Sequence, residues 1–426
     1  MNDRTELPGW WQLNGAPVPA DHPAVALLNA KAVRTHCEEI FALAERGNST
    51  HFIWHPKHLA PAAAYVADVI RERYPDLRIP YHSRWRHFEA GGVDRWNNAY
   101  RGQAHGTQRN GDGRAERARA RIDLVIPSVL LDAGAGAAWR YNEVATGQVL
   151  ARSEGLGVAS LALFASGVLS NRATQPLRTD AAALLRVRPG TIAKFFQVDD
   201  GNPLVGLDGR AALLKRLGEI AAQTPAVFGA EARLGNLYDY LKASAPDGRI
   251  RAGFILETLL RALGPMWPGR LTLDGVSLGD CWTYPAASGG RVPFHKLTQW
   301  LSYSMLEPLE EAGLIVTDLD ELTGLPEYRN GGLLLDLNVL EARDPSFHSR
   351  TLTVDDPAVV EWRALTVSIL DRLAVEIRKV LAVSAAEFPL ARVLEGGTWA
   401  AGRKIAAQKR AGGPPPVNID SDGTVF

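Results

Sequence analysis

The sequence has little cysteine, no excess of charge of either sign and no long apolar run. Its two cysteines, Cys37 and Cys281, are too few for a disulfide framework and cannot by themselves supply a zinc site. Lys plus Arg and Asp plus Glu each number 47 among 426 residues, so the net charge is zero. This balance argues against a general electrostatic partner such as nucleic acid or an anionic membrane, although a local anion pocket needs only a few cations.

Two further absences concern location. No stretch approaches the ~20 uninterrupted apolar residues of a membrane span. Residues 1–20 contain acids, prolines and two tryptophans rather than a basic start followed by an apolar run, so no signal peptide is visible. Hydrophobic residues make up 46% of the chain, which is typical of a globular protein. We therefore expect a soluble, cytoplasmic protein.

Helical periodicity dominates what is present. Strand candidates are few and short, namely residues 332–337 and 270–273, and the polar, Gly-rich residues 103–113 predict an exposed loop. Helices are predicted over residues 24–46, 61–74, 115–126, 153–169, 210–223, 250–263, 292–312, 359–381 and 398–409.

The chain shows no internal repeat, no long linker and no marked change in composition. This uniformity predicts one compact, mainly α unit with a few short strands. Within it, residues 1–120 are expected to form an N-terminal helical layer and residues 121–426 the core that carries the chemistry.

The stretch RVPFHKLTQWLSY is the first that could bind a ligand. Pro293 suits a first helical turn. At helical spacing, Lys296, Gln299, Trp300 and Tyr303 share one broad face, which could grip a polar ligand. A helix start would also offer N–H groups and a partial positive charge to a phosphate or a sugar hydroxyl. A surface helix with amphipathic side chains is the alternative.

The stretch LTGLPEYRNGG is the second. Glu327 follows a proline in a predicted Gly-rich loop, where its carboxylate could face a cleft. Burial raises the pKa of a carboxyl group, whereas a cation such as Arg329 lowers it. Glu327 could therefore act as a general base, a nucleophile or a stabiliser of an oxocarbenium-like centre. A loop carboxylate paired with Arg329 is the alternative.

The stretch LDAGAGAAWRY is the third. Its glycines lack the spacing of a dinucleotide-binding loop, and no P-loop lysine follows, so a glycine turn is predicted. Trp139 and Tyr141 offer aromatic faces to a base or a urea group, while Arg140 and Arg152 offer guanidinium groups to a phosphate.

The sequence predicts neither a metal site nor a cofactor. The spacing of His51, His55 and His58 would suit a metal ion on a helix, but Pro56 interrupts it and the glutamate of an H-E-x-x-H motif is missing. No Walker A, G-x-S-x-G or kinase signature occurs either.

Nine stretches carry a resemblance to a known family: GAGAAWRYNE, RSEGLGVASL, NPLVGLDGRAALL, VPFHKLTQWLSYS, EPLEEAGL, TGLPEYRNGGLLLD, VEWRALTV, LEGGTWAAGRKIAA and SDGTVF. Over about residues 8–426 the chain resembles the URC-pathway family of uracil-catabolism proteins. That family belongs to a pathway that degrades uracil, after its conversion to the nucleotide, through ribosylurea-type intermediates towards urea. The resemblance implies a small ribosyl or nucleotide substrate, and other pathway enzymes as partners.

A second resemblance indicates a reaction. The queuosine 5′-phosphate N-glycosidases, which are mainly helical and similar to helix-hairpin-helix DNA glycosylases, carry a Phe-Tyr-Lys-Arg-Ala-Gln helix and a downstream Ala-Asp-Tyr-Arg loop. The stretch FHKLTQ is similar to the first and keeps Phe294, Lys296 and Gln299. The stretch PEYR is similar to the second and keeps Tyr328 and Arg329, with Glu in place of Asp.

Together the resemblances imply hydrolysis of an N-glycosidic C–N bond in a ribosyl or ribosyl 5-phosphate substrate. Such cleavage passes through an oxocarbenium-like state that a carboxylate stabilises. Glu327 is expected to be that carboxylate, and Asp280 is the second candidate. The resemblances assign Lys296 and Arg329 to the phosphate, His295 and Gln299 to ribose hydroxyls, Trp139 and Tyr141 to the departing urea or base, and Tyr303, Tyr328, Arg140 and Arg152 to other substrate contacts.

Other functions stay open at this point. The protein could open or deaminate the uracil ring of the nucleotide earlier in the pathway, a step that usually recruits a metal ion. It could bind a nucleotide without catalysis, as a pathway scaffold. A nucleic-acid repair glycosylase is disfavoured by the zero net charge and the lack of a dense Lys/Arg patch.

Overall fold

The computed structural model describes residues 7–103, 113–132, 134–266 and 271–420, and it confirms the prediction of a mainly α fold. The helices of the first half are α1 Ala30–Glu45, α2 Leu59–Arg73, α3 Trp85–Phe88, α4 Arg95–Gln103, α5 Gly113–Leu130, α6 Arg152–Ala165, α7 Ala181–Leu184 and α8 Pro189–Phe195. Those of the second half are α9 Leu207–Gln223, α10 Pro225–Phe228, α11 Leu237–Ala243, α12 Ala252–Leu263, α13 Lys296–Glu311, α14 Tyr328–Asp336, α15 Pro357–Leu381, α16 Leu390–Val393 and α17 Trp399–Lys409.

The strands are short and pair only two by two in the described part of the chain. Antiparallel pairs join β1 Gln12–Leu13 to β2 Ala16–Pro17, β3 Phe52–Trp54 to β12 Leu340–Ala342, β4 Tyr141–Glu143 to β5 Gln148–Leu150, β7 Thr272–Leu273 to β8 Val276–Ser277, and β9 Cys281–Thr283 to β10 Arg291–Pro293. Parallel pairs join β6 Arg249–Arg251 to β11 Ile315–Thr317, and β13 Thr351–Thr353 to β14 Asn418–Asp420.

The core is arranged around two long helices. The buried helix α15 packs against α1 and α2, so helices from the two ends of the sequence share one apolar interior. The helix α13 packs against α5 and α12. A stable core of this kind buries the apolar stripe of each helix against its neighbours. The predicted boundary near residue 120 stays a prediction.

Three local predictions are wrong. Residues 332–336 form not a strand but the end of α14, with Leu337 as its C-cap, because the apolar run lies behind an N-capping glutamate that starts a helix. Pro293 ends β10 instead of opening a helix, and α13 begins at Lys296. The helix predicted over residues 24–46 is a 3-10 turn, Pro23–Leu27, followed by α1. Most of the predicted loop 103–113 lies outside the described residues.

No helix in the described ranges is long and apolar enough to cross a membrane.

Candidate functional site

The first two stretches that the sequence singled out, RVPFHKLTQWLSY and LTGLPEYRNGG, contact each other in the fold. The side-chain amide of Gln299 donates to Thr323 Oγ1 (2.8 Å) and accepts from the Thr323 N–H (2.8 Å). The Tyr303 hydroxyl donates to the Thr323 carbonyl (3.0 Å). All three residues are fully buried. This part of α13 therefore fixes the segment that leads to Glu327, and the structure places Gln299 and Tyr303 in positioning contacts.

Asp280, the second candidate carboxylate, is the centre of a buried ion pair. Arg363 of α15 donates to both of its oxygens (2.9 Å each), Trp282 Nε1 donates to Oδ1 (2.6 Å), and the Lys296 N–H donates to Oδ2 (2.9 Å). Although burial opposes ionisation, Arg363 and the hydrogen bonds hold the pKa of Asp280 well below its usual range. With both oxygens engaged, Asp280 caps α13 and lacks the role of a free base.

Arg363 also extends to the second stretch. Its Nε donates to the Pro326 carbonyl (3.4 Å), directly before Glu327, and its guanidinium lies 4.1 Å from the Phe294 ring centroid. Arg363 thus contacts both Asp280, which lies before α13, and Pro326, which lies before α14. The relative placement of the two helix starts depends on this side chain.

His295 is buried and its side chain contacts the segment before α1. It has a left-handed backbone (φ 51°) and is 1% exposed. Its Nε2 lies 2.9 Å from the Leu27 carbonyl, and burial lowers its pKa. The predicted contact between His295 and a ribose hydroxyl finds no support in this orientation.

Glu327 is the N-cap of α14. Its carboxylate accepts from the backbone N–H of Arg329 (2.8 Å) and of Asn330 (2.7 Å), while the side chain stays partly exposed. A carboxylate is favoured there because helix N–H groups at an N-terminus lack partners within the helix. The predicted Gly-rich loop is therefore a helix start that holds the Glu327 carboxylate in a fixed orientation.

Lys296 is within electrostatic reach of three carboxylates, those of Glu327, Asp132 and Asp280. Burial lowers its pKa, while Glu327 and Asp132 act in the opposite direction. A buried lysine with a lowered pKa beside carboxylates is a typical arrangement for proton transfer. Lys296 thus interacts electrostatically with Glu327 and with Asp132, while its predicted role in binding a phosphate stays a prediction.

Asp132 follows the last turn of α5 and is a residue that the sequence reasoning missed. Its carboxylate forms an ion pair with Arg84 and accepts from Ser153 Oγ (3.1 Å) at the start of α6. Burial raises its pKa, against the lowering effect of Arg84 and Lys296. The signal in the sequence was its position two residues before the GAGAA run. We call Asp132, Lys296 and Glu327 the charged cluster.

Two glycines of α6 let neighbouring residues lie close to this helix. A Cβ on Gly157 would lie 2.8 Å from His87 Cβ, so α3 can lie directly against α6. A Cβ on Gly155 would lie 2.9 Å from the Trp139 ring.

The Trp139 ring is fully buried and its Nε1 donates to the Phe196 carbonyl (2.9 Å). Trp139 thus packs in the core, away from any position where it could stack on a ligand.

Tyr141, the other predicted aromatic contact, is 8% exposed in β4, and burial raises its pKa. Arg140 and Arg152, by contrast, are exposed and line a cleft of about 660 Å³ together with Arg403, Glu154 and Trp399. We call this the arginine cleft. It adjoins the charged cluster, because Ser153 lies between Arg152 and Glu154 in the sequence and donates to Asp132.

Arg329 lies between the arginine cleft and the C-terminal segment. Its Nη1 donates to the Gly413 carbonyl (3.0 Å), and a Cβ on Gly402 of α17 would come within 2.3 Å of the Arg329 carbonyl oxygen. Burial lowers the pKa of Arg329, whereas Glu327 raises it. Tyr328, the first residue of α14, is partly buried against the core.

Another cavity, of about 1080 Å³, lies at the start of α1. Its charged side chains are used in ion pairs, as between Arg34 and Asp371 (2.7 Å) and between Arg251 and Glu321 (2.6 Å). Because it lacks the residues that the two stretches bring together, the charged cluster is the better candidate site. Among the described residues, no group of three or more His, Cys, Asp or Glu is arranged to hold a metal ion.

The chain belongs to a known family of proteins. The family described as "Protein of unknown function (DUF1688)" matches residues 26–426, nearly the whole chain and all of the candidate site. Two relatives match at 36% identity. One is "Uracil catabolism protein 4" of Lachancea kluyveri, with 95% of this chain and 99% of the relative covered. The other is "Protein urg3" of Schizosaccharomyces pombe (strain 972 / ATCC 24843), with 94% and 98% covered.

Proposed function

We propose that the protein acts in uracil catabolism by hydrolysing the N-glycosidic bond of a ribosylurea-type intermediate, with release of urea. The pathway is supported by the name of the relative from Lachancea kluyveri and by similarity over nearly the full length of both chains. The reaction is supported by the resemblance of two stretches to those of the queuosine 5′-phosphate N-glycosidases and by the contacts that join those stretches here.

The observation that carries the proposal is the charged cluster. The Glu327 carboxylate, oriented by two backbone N–H groups, lies within electrostatic reach of Lys296, whose pKa is lowered. In an oxocarbenium-like transition state, positive charge develops at the anomeric carbon, and a fixed carboxylate stabilises it. Glu327 takes this role and directs the attacking water in the proposed mechanism.

The departing urea nitrogen needs a proton. When the C–N bond breaks, its electron pair stays on nitrogen, and the water oxygen bonds to the anomeric carbon. Lys296 is suited to donate the proton because a lowered pKa makes an ammonium group a stronger acid. Asp132, whose pKa is raised, can hold a proton next to Lys296. The attacking water releases a proton, and this proton returns Lys296 to its ammonium form, so that the step balances.

Mass spectrometry of the purified protein with single substrates tests the proposal. With ribosylurea 5-phosphate we expect urea and ribose 5-phosphate in equal amounts. Consumption of UMP by the protein alone would instead support the ring-opening function. Tight binding of UMP with no turnover of either compound would support a scaffold. Either of these outcomes would overturn the proposed reaction.

A further inference from the structure

The arginine cleft carries positive charge that the proposed mechanism does not use. Two carboxylates, Glu154 and Glu395, lie on its walls. Its arginines are Arg73, Arg86, Arg140, Arg152 and Arg403. The cleft therefore has an excess of cations in a protein whose net charge is zero. A concave surface lined by charge of one sign concentrates ligands of the opposite sign.

Some of these arginines already have carboxylate partners. Arg403 pairs with Glu154, and Arg86 donates to Glu307 (2.6 Å) outside the cleft. In the described part of the chain, the Arg140 and Arg152 guanidinium groups donate hydrogen bonds to backbone carbonyls. Arg140 Nη1 donates to the carbonyls of Ala137 and Trp139, and Arg152 Nη2 donates to that of Gly412 at 3.4 Å.

A carbonyl oxygen carries no net charge, so it leaves a guanidinium uncompensated. The phosphate of a monoester offers several anionic oxygens and accepts paired hydrogen bonds from arginine. The neighbouring arginines also repel one another. Burial lowers the pKa of Arg329, and the positive charges of Arg152 and Arg403 lower it further. A bound anion would relieve this repulsion.

The inner wall of the arginine cleft is aromatic. Trp399 lines it and lies 4.9 Å from the Arg403 guanidinium, and His87 lies 6.0 Å from the Trp399 ring. His87 is 6% exposed, and its Nδ1 has no hydrogen-bond partner among the described residues. Burial keeps the pKa of His87 well below its usual value, so it is a neutral hydrogen-bonding group. Such a wall suits a sugar better than a second phosphate.

We infer that the arginine cleft binds the phosphate of a phosphomonoester, with Arg140 and Arg152 as the main contacts. The inference deepens the proposed function and rests on it for the identity of the ligand as a ribosyl phosphate. The phosphate is then bound not by Lys296, which belongs to the charged cluster, but by the exposed arginines of the adjoining arginine cleft.

Calorimetric titration with ribose 5-phosphate, ribose and inorganic phosphate tests the inference without any turnover. We expect ribose 5-phosphate to bind at least about tenfold more tightly than ribose. The double variant Arg140→Ala/Arg152→Ala should lose at least about tenfold in affinity for ribose 5-phosphate, because two charge-assisted contacts disappear. Both side chains are exposed, so the variant should unfold at the wild-type temperature.

Arg188→Ala is the matched control. Arg188 is exposed and does not line the cleft, and its Nη1 donates to two backbone carbonyls, as Arg140 does. It should bind ribose 5-phosphate like the wild type. Competition by inorganic phosphate would show that the phosphate itself is recognised and would support the inference.

Equal affinity for ribose and ribose 5-phosphate, or an unchanged affinity in the double variant, would overturn the inference. The two proposals fail separately. Phosphate-dependent binding without release of urea would overturn the proposed function alone, whereas release of urea without phosphate-dependent binding would overturn this inference alone.

Discussion

Asp280 and Asp132 are each buried beside an arginine, yet their environments have opposite effects. Asp280 receives hydrogen bonds from Arg363, Trp282 and the Lys296 N–H, and its pKa is lowered. Asp132 forms an ion pair with Arg84 and accepts a hydrogen bond from the Ser153 hydroxyl, and its pKa is raised. A buried carboxylate is favoured as an anion only when its hydrogen bonds and charges outweigh the loss of solvation.

This difference in environment indicates different roles, a structural one for Asp280 and one in proton transfer for Asp132. The Asp280–Arg363 pair has every oxygen engaged and connects two helix starts, so it is suited to hold the fold. Asp132 interacts electrostatically with Lys296. The pKa of Asp132 is raised and that of Lys296 is lowered, so the two groups are closer in proton affinity than isolated Asp and Lys side chains. Groups adjusted in this way are suited to proton transfer.

The largest effect should come from Arg363→Leu, which leaves Asp280 buried without its cation. We expect the free energy of unfolding to fall by about 3–5 kcal/mol, as when one partner of a buried ion pair is removed. Denaturant unfolding measures it. Lys379→Leu, which removes an exposed ion pair from the same helix, is the control and should cost less than about 1 kcal/mol. Equal losses in the two variants would contradict the scaffold role.

A smaller effect on stability but a large one on activity is expected for Asp132→Asn. The amide keeps an oxygen for Arg84 or Ser153 but cannot exchange a proton with Lys296. We expect kcat/KM for urea release to fall about 100-fold. Asp239→Asn, which alters a partly exposed pair with Arg119, is the control and should retain activity. Full activity of Asp132→Asn would remove Asp132 from the charged cluster.

The smallest expected effect is a pair of opposite pH dependences. The folded-state pKa of Asp280 is lowered, so its stabilisation is complete above pH ~4 and is lost as the pH falls through the folded-state value. The folded-state pKa of Asp132 is raised, so its contribution is present below pH ~4 and is lost as the pH rises through the folded-state value.

Unfolding free energies of the wild type, Asp280→Asn and Asp132→Asn between pH 3 and 7 test this pair. The wild-type advantage over Asp280→Asn should shrink on acidification, by at most about 1.4 kcal/mol per pH unit. The comparison with Asp132→Asn should move in the other direction. Parallel curves would show that the two carboxylates do not differ.

Much of the helical fold could be predicted because apolar residues recur at helical spacing, as in α9 and α15. The strand predicted over residues 332–337 was wrong because a short apolar run is compatible with either element. What decides for a helix is the Glu327 cap, whose hydrogen bonds no apolar pattern reveals.

The candidate site could be predicted only where its residues are close in sequence. Lys296 and Glu327 were predicted from the resemblance of two stretches, and the two side chains interact electrostatically in the structure. Asp132 and Arg84 were missed because they lie in separate segments and meet only through the packing of α3, α5 and α6. Asp280 was placed near the site, but its role depends on Arg363, which is 83 residues away in sequence.

The most direct test of the central claim is the activity of Glu327→Gln measured beside its thermal stability. Glutamine keeps an oxygen that can cap α14 but removes the negative charge, so Tm should stay within about 3 °C of the wild type. Asp344→Asn, a change in another helix cap, is the matched control and should leave urea release unchanged.

For Glu327→Gln we predict at least about a 100-fold fall in kcat/KM for urea release from ribosylurea 5-phosphate, because a charge that stabilises the transition state is lost. Activity within about threefold of the wild type, in a protein of unchanged Tm, would contradict the account.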